Sequence, residues 1–112
     1  MATHVFAPLE NPSPTNDNAV AISALFASSG LGTTVLLLAL CVYPIYSPIC
    51  LGESNHLATQ NYPTFESGNQ AVVDARGDPT AIRMFNVSKS SIKNVHVKVI
   101  RLQIWDFQFI IY

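Results

Sequence analysis

Two carboxylates four positions apart, Asp74 and Asp78, lie in the stretch VVDARGDPTAIRMFNVSKSSIKNV, residues 72–95. Paired carboxyls ~5–9.5 Å apart are what glycosidic bond cleavage requires, one as acid and the other as base or nucleophile. Asp78 precedes Pro79 at a turn and Asp74 belongs to the short strand before it, so we read neither as catalytic. The same turn spells Arg76-Gly77-Asp78, a tripeptide that integrins read only from an exposed loop tip. His4, His56 and His96 are scattered without metal-ligand spacing, and the sequence contains no Gly-rich phosphate loop, nucleophile elbow or kinase signature. No cofactor or metal is expected. Lys89, Lys93, Lys98 and Arg101 are the basic residues that could face an acidic polysaccharide, since cations suit carboxylates. Asn86-Val87-Ser88 fits the N-glycosylation acceptor pattern.

The elements that must position these residues are read from hydropathy and period. Only 12% of the 112 residues are charged, about half the ~25% usual for a soluble domain, while 49% are apolar. A net charge of −1 excludes the basic excess that a nucleic-acid surface needs. Glu10 and Asp17 are the only charges before Glu53, and all six Lys and Arg lie from Arg76 onward. Residues 1–18 read as a flexible polar leader. Residues 19–52 are uncharged and form a hydrophobic block with the 11-residue apolar core TTVLLLALCVY. That block is expected to be one hydrophobic helix: a signal peptide cleaved after Gly52, a membrane anchor through residues 30–49, or a buried helix. Its small residues Cys50 and Gly52 suit a cleavage site, whereas the absent Lys or Arg at its start does not. Cys41 and Cys50 read as small apolar residues of the block. Residues 53–69 have loop composition.

From residue 70 to 112 the period becomes two. In IKNVHVKVI, residues 92–100, Val95, Val97 and Val99 share one face while Asn94, His96 and Lys98 share the other, the mark of a half-buried strand. Further short strands are expected over residues 72–74 and 80–85. The alternation changes phase between Ile104 and Phe107, which implies a turn at Asp106. The final Phe109-Ile110-Ile111-Tyr112 is a β-prone apolar end suited to strand-mediated self-association or to binding a protein partner. The fold class expected is mainly β, with strands recurring about every ten residues in the manner of a solenoid.

These residues resemble a known family. Val73-Asp74-Ala75-Arg76-Gly77 is similar to the "-I-D-G-x-G-" strand and turn of polygalacturonases, the pectin-cleaving parallel β-helix hydrolases. Pro79-Thr80-Ala81-Ile82-Arg83-Met84-Phe85 resembles their following strand, "R-P-T-A-I-R-F-F". Residues 86–97 look like the next rung, with its "-N-V-x-V-" ending, and Ile104-Trp105-Asp106-Phe107 falls at an aromatic stretch of the family. The likeness covers residues 68–107 and implies a short fragment of a right-handed parallel β-helix preceded by one hydrophobic helix. The family's catalytic Asn-Thr-Asp, Asp-Asp, Gly-His-Gly and Arg-Ile-Lys motifs do not occur in the chain. The resemblance therefore implies a truncated or divergent polygalacturonase-like protein, secreted to the cell wall, that lacks hydrolytic activity and takes pectate as partner. The alternative is a small single-pass membrane protein whose C-terminal strand binds a protein.

Overall fold

The computed structural model describes residues 2–60, 70–78, 80–85, 88–100 and 103–110; for Ile100 and residues 103–110 only the backbone is described. The chain is mainly β, with nine strands and one helix among the described residues. Strand β1 (Thr3–Phe6) precedes helix α1 (Asn18–Ser29). Asp17 starts α1 in extended conformation, its side chain accepting the Ala19 N–H, and Gly30 ends it at φ 77 with its own N–H bonded to Phe26 O. Asn18, Ala19, Ile22 and Phe26 form the buried side of the helix, at the three- and four-residue spacing of one helical face.

After the helix come β2 (Thr34–Leu37), β3 (Val42–Pro44), β4 (Ile49–Leu51), β5 (His56–Thr59), β6 (Ala71–Asp74) and β7 (Ile82–Met84). The long β8 (Ser91–Ile100) and β9 (Gln103–Ile110) follow. Three parallel ladders join strands that are distant in sequence. The first runs β1–β2–β5–β8, with Thr3, Thr34, His56 and Ser91 in one register column. The second runs β3–β6–β8, with Tyr43, Val73 and Val97 in register. The third pairs β4 with β7, Ile49 opposite Ile82. Because side chains alternate across a strand, parallel register stacks like on like. Val35, Leu57 and Ile92 make one buried column, and Tyr43, Val73 and Val97 another. Full burial of each such side chain contributes about 1.5–3 kcal/mol, so the columns hold the ladders together.

Strand β8 serves two ladders in turn. Residues 91–93 pair with β5 and residues 95–98 with β6. Asn94, at φ 55, separates them; its left-handed backbone shifts the alternation by one, so Ile92 and Val95 are both buried. Antiparallel β9 covers the opposite edge of β8.

Several expectations change. The uncharged block over residues 19–52 is not one hydrophobic helix: α1 takes its first third, and β2, β3 and β4 take the rest. Positive φ at Gly30, Gly32 and Leu40 turns the backbone out of helical space, and Pro44 and Pro48 deny a helix its N–H donors. No helix among the described residues is long and apolar enough to cross a membrane. Strands are not confined to residues 70–112, and the expected loop over residues 53–69 contains β5. Asp106 is not a turn residue, because the chain reverses between Ile100 and Gln103 and Asp106 lies within β9 opposite His96. Ile110 ends β9, while Ile111 and Tyr112 lie outside the described residues.

Candidate functional site

Parallel register brings together a pair of polar side chains 35 positions apart in the sequence. His56 and Ser91 are neighbours in the first ladder, and His56 Nδ1 shares a hydrogen bond of 2.7 Å with Ser91 Oγ across 35 positions. Two residues further along the same ladder, Lys93 stands opposite Ala58. All three point to the side away from the core, since their immediate neighbours Leu57 and Ile92 are fully buried.

Burial holds the His56 imidazole below the ordinary 6.5, and the nearby Lys93 ammonium lowers it further. The ring is therefore neutral at pH 7. Its contribution to stability is fully present above the ordinary imidazole value and is lost as pH falls from there toward the lowered folded-state value. Replacing Lys93 by Gln removes the second cause and leaves the first. We expect the His56 midpoint, followed by NMR titration at low salt, to move up toward 6.5; an unmoved midpoint would mean that Lys93 does not act on the ring.

A hydroxyl bonded to an imidazole is also the start of a nucleophile–base pair. Here Ser91 is only 6% exposed, so its oxygen is out of reach of a bulky substrate. The arrangement sets a cation and a neutral ring on one outward face, where an anionic or hydroxyl-rich group could meet both.

The other residues singled out by sequence fall elsewhere. Lys98 is half-exposed on the second ladder opposite Asp74, on the far side of the Asn94 break from Lys93. Lys89 is exposed between β7 and β8 at φ 58. Arg101 and Asn86 lie outside the described residues. The expected basic surface is thus split between two ladders, with Lys89 in the connection that precedes them.

Asp74 is the last residue of β6, and Asp78 lies just past the turn that follows it. Asp74 Oδ1 accepts the Arg76 N–H at 2.9 Å, and Asp78 Oδ1 accepts the Thr80 N–H at 2.8 Å. Between them Arg76 and Gly77 take positive φ, 58° and 86°, and Asp78 N donates to Ala75 O at 3.0 Å. The Arg76 guanidinium lies 3.8 Å from the Tyr46 ring centroid, a cation–π contact. Both charges of the Arg76-Gly77-Asp78 tripeptide are engaged within the chain. Cys41 and Cys50 are free and half-buried, and no cluster of His, Cys, Asp or Glu among the described residues could hold a metal ion.

No protein-family model matches the chain, and no curated protein or solved structure matches it. The likeness to polygalacturonases therefore rests on the quoted residues alone.

The sequence places His56 in a stretch of loop composition, and the His56–Ser91 pair is not visible there. No local signal could have found it. Only the register of two strands places residues 56 and 91 side by side.

Proposed function

We propose that the chain is a short right-handed parallel β-helix related to polygalacturonases, without their hydrolytic activity, that binds an acidic cell-wall polysaccharide such as pectate. The observation that carries this reading is the register itself. Strands from successive segments pair in parallel in three ladders, like residue over like, which is the pattern expected of stacked rungs. Lys93 and Lys98 end outward columns of two of these ladders. They lie five residues apart on one strand, within ~17 Å, a span that a polyanion covers and a single sugar does not. The use of the Asp74 and Asp78 carboxylates as acceptors for backbone N–H groups favours a binding protein over a glycosidase.

The ladders also bear on processing. A cut after Gly52 would remove β1 to β4 and α1, leaving β7 without its partner and β5 and β6 each with β8 alone. A secreted and folded form is therefore expected to keep residues 2–52, which intact-mass measurement on protein from a eukaryotic secretory host checks directly.

Affinity electrophoresis in gels containing polygalacturonate tests the binding reading. Retardation is expected there and not in a neutral glucan, and it should fade as salt rises. Lys93→Gln combined with Lys98→Gln should weaken binding about tenfold, given up to ~1 kcal/mol for each exposed ion pair. Equal retardation of the double variant would refute the basic contact. Release of reducing ends above a heat-denatured control would refute the non-hydrolytic reading.

A further inference from the structure

At the end where β9 covers the first two ladders, the third ladder ends in an open edge among the described residues. Ile49 N donates to Ala81 O and Phe85 N donates to Leu51 O, each at 2.9 Å. The backbone groups of residues 81, 83 and 85 therefore face β4, and alternation turns those of Ile82 and Met84 to the opposite edge. No strand among the described residues pairs there. Elsewhere the comparable positions are covered: β9 pairs along β8, and at the other side of β4 the helix intervenes, with the Cys50 N–H donating to Ser23 Oγ at 2.9 Å. Among the described residues the outer edges of β1 and β3 are also unpaired, but neither strand carries an acidic or basic residue apart from His4, which is bonded to Ser29 Oγ.

The edge of β7 has a defined side-chain pattern. Ile82 and Met84 are partly buried against the core, Arg83 between them is exposed, and Phe85 just beyond is 53% exposed. A strand added here would set apolar residues beside Ile82 and Met84 and one residue beside the Arg83 guanidinium.

A second copy of the chain is a poor occupant. Antiparallel pairing of β7 with its own copy uses both free residues only if Ile82 lies opposite Met84 of the other chain. That register places the two Arg83 residues directly opposite each other in a non-hydrogen-bonded pair, where side chains are closest and like charges repel. Parallel stacking onto a second molecule is obstructed as well, because β9 covers the first two ladders at this end. The same charge that repels a copy attracts a carboxylate.

We propose that the edge of β7 takes up an extended peptide from a partner protein by strand addition, with the pattern apolar–acidic–apolar and its carboxylate against Arg83. The inference is independent of polysaccharide binding, which uses β8.

The test uses the full chain and fluorescent peptides carrying Val-Glu-Val or Val-Lys-Val, followed by anisotropy. Val-Glu-Val should bind in preference to Val-Lys-Val. Arg83→Gln should weaken it about fivefold, the order of one cross-strand charge pair. Arg83→Glu should reverse the preference, so that Val-Lys-Val binds and Val-Glu-Val does not. N-methylation of the peptide amides that would meet β7 should abolish binding to the unaltered chain. Arg83 is exposed, so these variants should melt with the parent. Failure of Val-Glu-Val to bind, indifference to Arg83→Glu, or unchanged binding of the N-methylated peptide would each overturn the proposal. Dimerisation in sedimentation experiments that the peptide reverses would do so too, since a second copy would then occupy the edge.

Discussion

Replacing Tyr43 by Ala is expected to lower the unfolding free energy by about 4 kcal/mol, within the range seen for large aromatic truncations in cores. Tyr43 is fully buried in the column with Val73 and Val97, and its ring centroid lies 6.2 Å from that of Phe6. Its hydroxyl donates to Phe6 O at 2.8 Å and Leu38 O at 3.3 Å, tying β3 to the ends of β1 and β2. Burial pushes the phenol up to about 12, even though the Leu38 bond acts the other way. Since the folded state holds this proton more tightly than the unfolded chain, the corresponding stability is complete below pH 10 and is lost as pH rises toward 12. Against a total of roughly 5–15 kcal/mol for a domain, Tyr43→Ala should cost more than ~10 °C in Tm. Tyr43→Phe isolates the hydroxyl and should cost ~1–3 kcal/mol through the Leu38 carbonyl, which loses this donor, while Phe6 O keeps the Leu38 N–H at 3.3 Å. Urea and thermal unfolding measure both. A loss below about 1 kcal/mol for Tyr43→Ala would show β3 in the wrong register, because a one-residue slip exchanges Tyr43 for Val42 and Pro44 in the core.

Asp17→Ala should cost about 3 kcal/mol. A helix cap alone contributes ~1 kcal/mol, but this carboxylate does more than cap α1. It is 5% exposed, and besides the Ala19 N–H at 2.9 Å its Oδ1 accepts the Tyr46 N–H at 3.0 Å. Its Oδ2 accepts the Ser47 hydroxyl at 2.6 Å. One side chain thus fixes the start of the helix against the connection from β3 to β4. Truncation strands three donors, two of them backbone amides, and each buried donor left unpaired costs ~1–3 kcal/mol unless water reaches it. Asp17→Asn keeps an acceptor for the two amides and loses the Ser47 bond, so about half the effect should remain. Chemical unfolding of both variants separates the contributions. A cost of ~1 kcal/mol or less for Asp17→Ala would reduce Asp17 to an ordinary cap.

Some of this architecture is legible in the residues and some is not, for identifiable reasons. Strand β8 was read to within one residue because Val95, Val97 and Val99 alternate with polar neighbours over a long run. The turn at Arg76-Gly77 was visible because Asp, Gly and Pro cluster around it. The uncharged block misled because a dense apolar run such as TTVLLLALCVY has no period that separates a helix from buried strands. Its strands, β2 to β4, are three or four residues long, with the left-handed Leu40 between the first two, and nothing in a leucine announces that conformation. Strand β5 was hidden for the opposite reason: four residues among polar neighbours carry too little pattern. Lys93 and Lys98 were weighed together, and the left-handed Asn94 between them divides them. The His56–Ser91 contact depends on which strand lies beside which, a global property that no local window contains.

The ladders carry a consequence for how the chain reaches its fold. Every parallel pairing joins residues far apart, Thr34 to His56 being the shortest step along the first ladder, so loop closure must precede any reward from stacking. Among the described strands only β8 and β9 pair locally. Folding should accordingly be slow for the chain's size. During synthesis β2 and β3 emerge well before β5 and β6, and the apolar edges on which those later strands stack remain open until they arrive. The apolar middle of the chain is therefore where misassembly competes with folding, and residence on the ribosome or with a holdase would decide the yield.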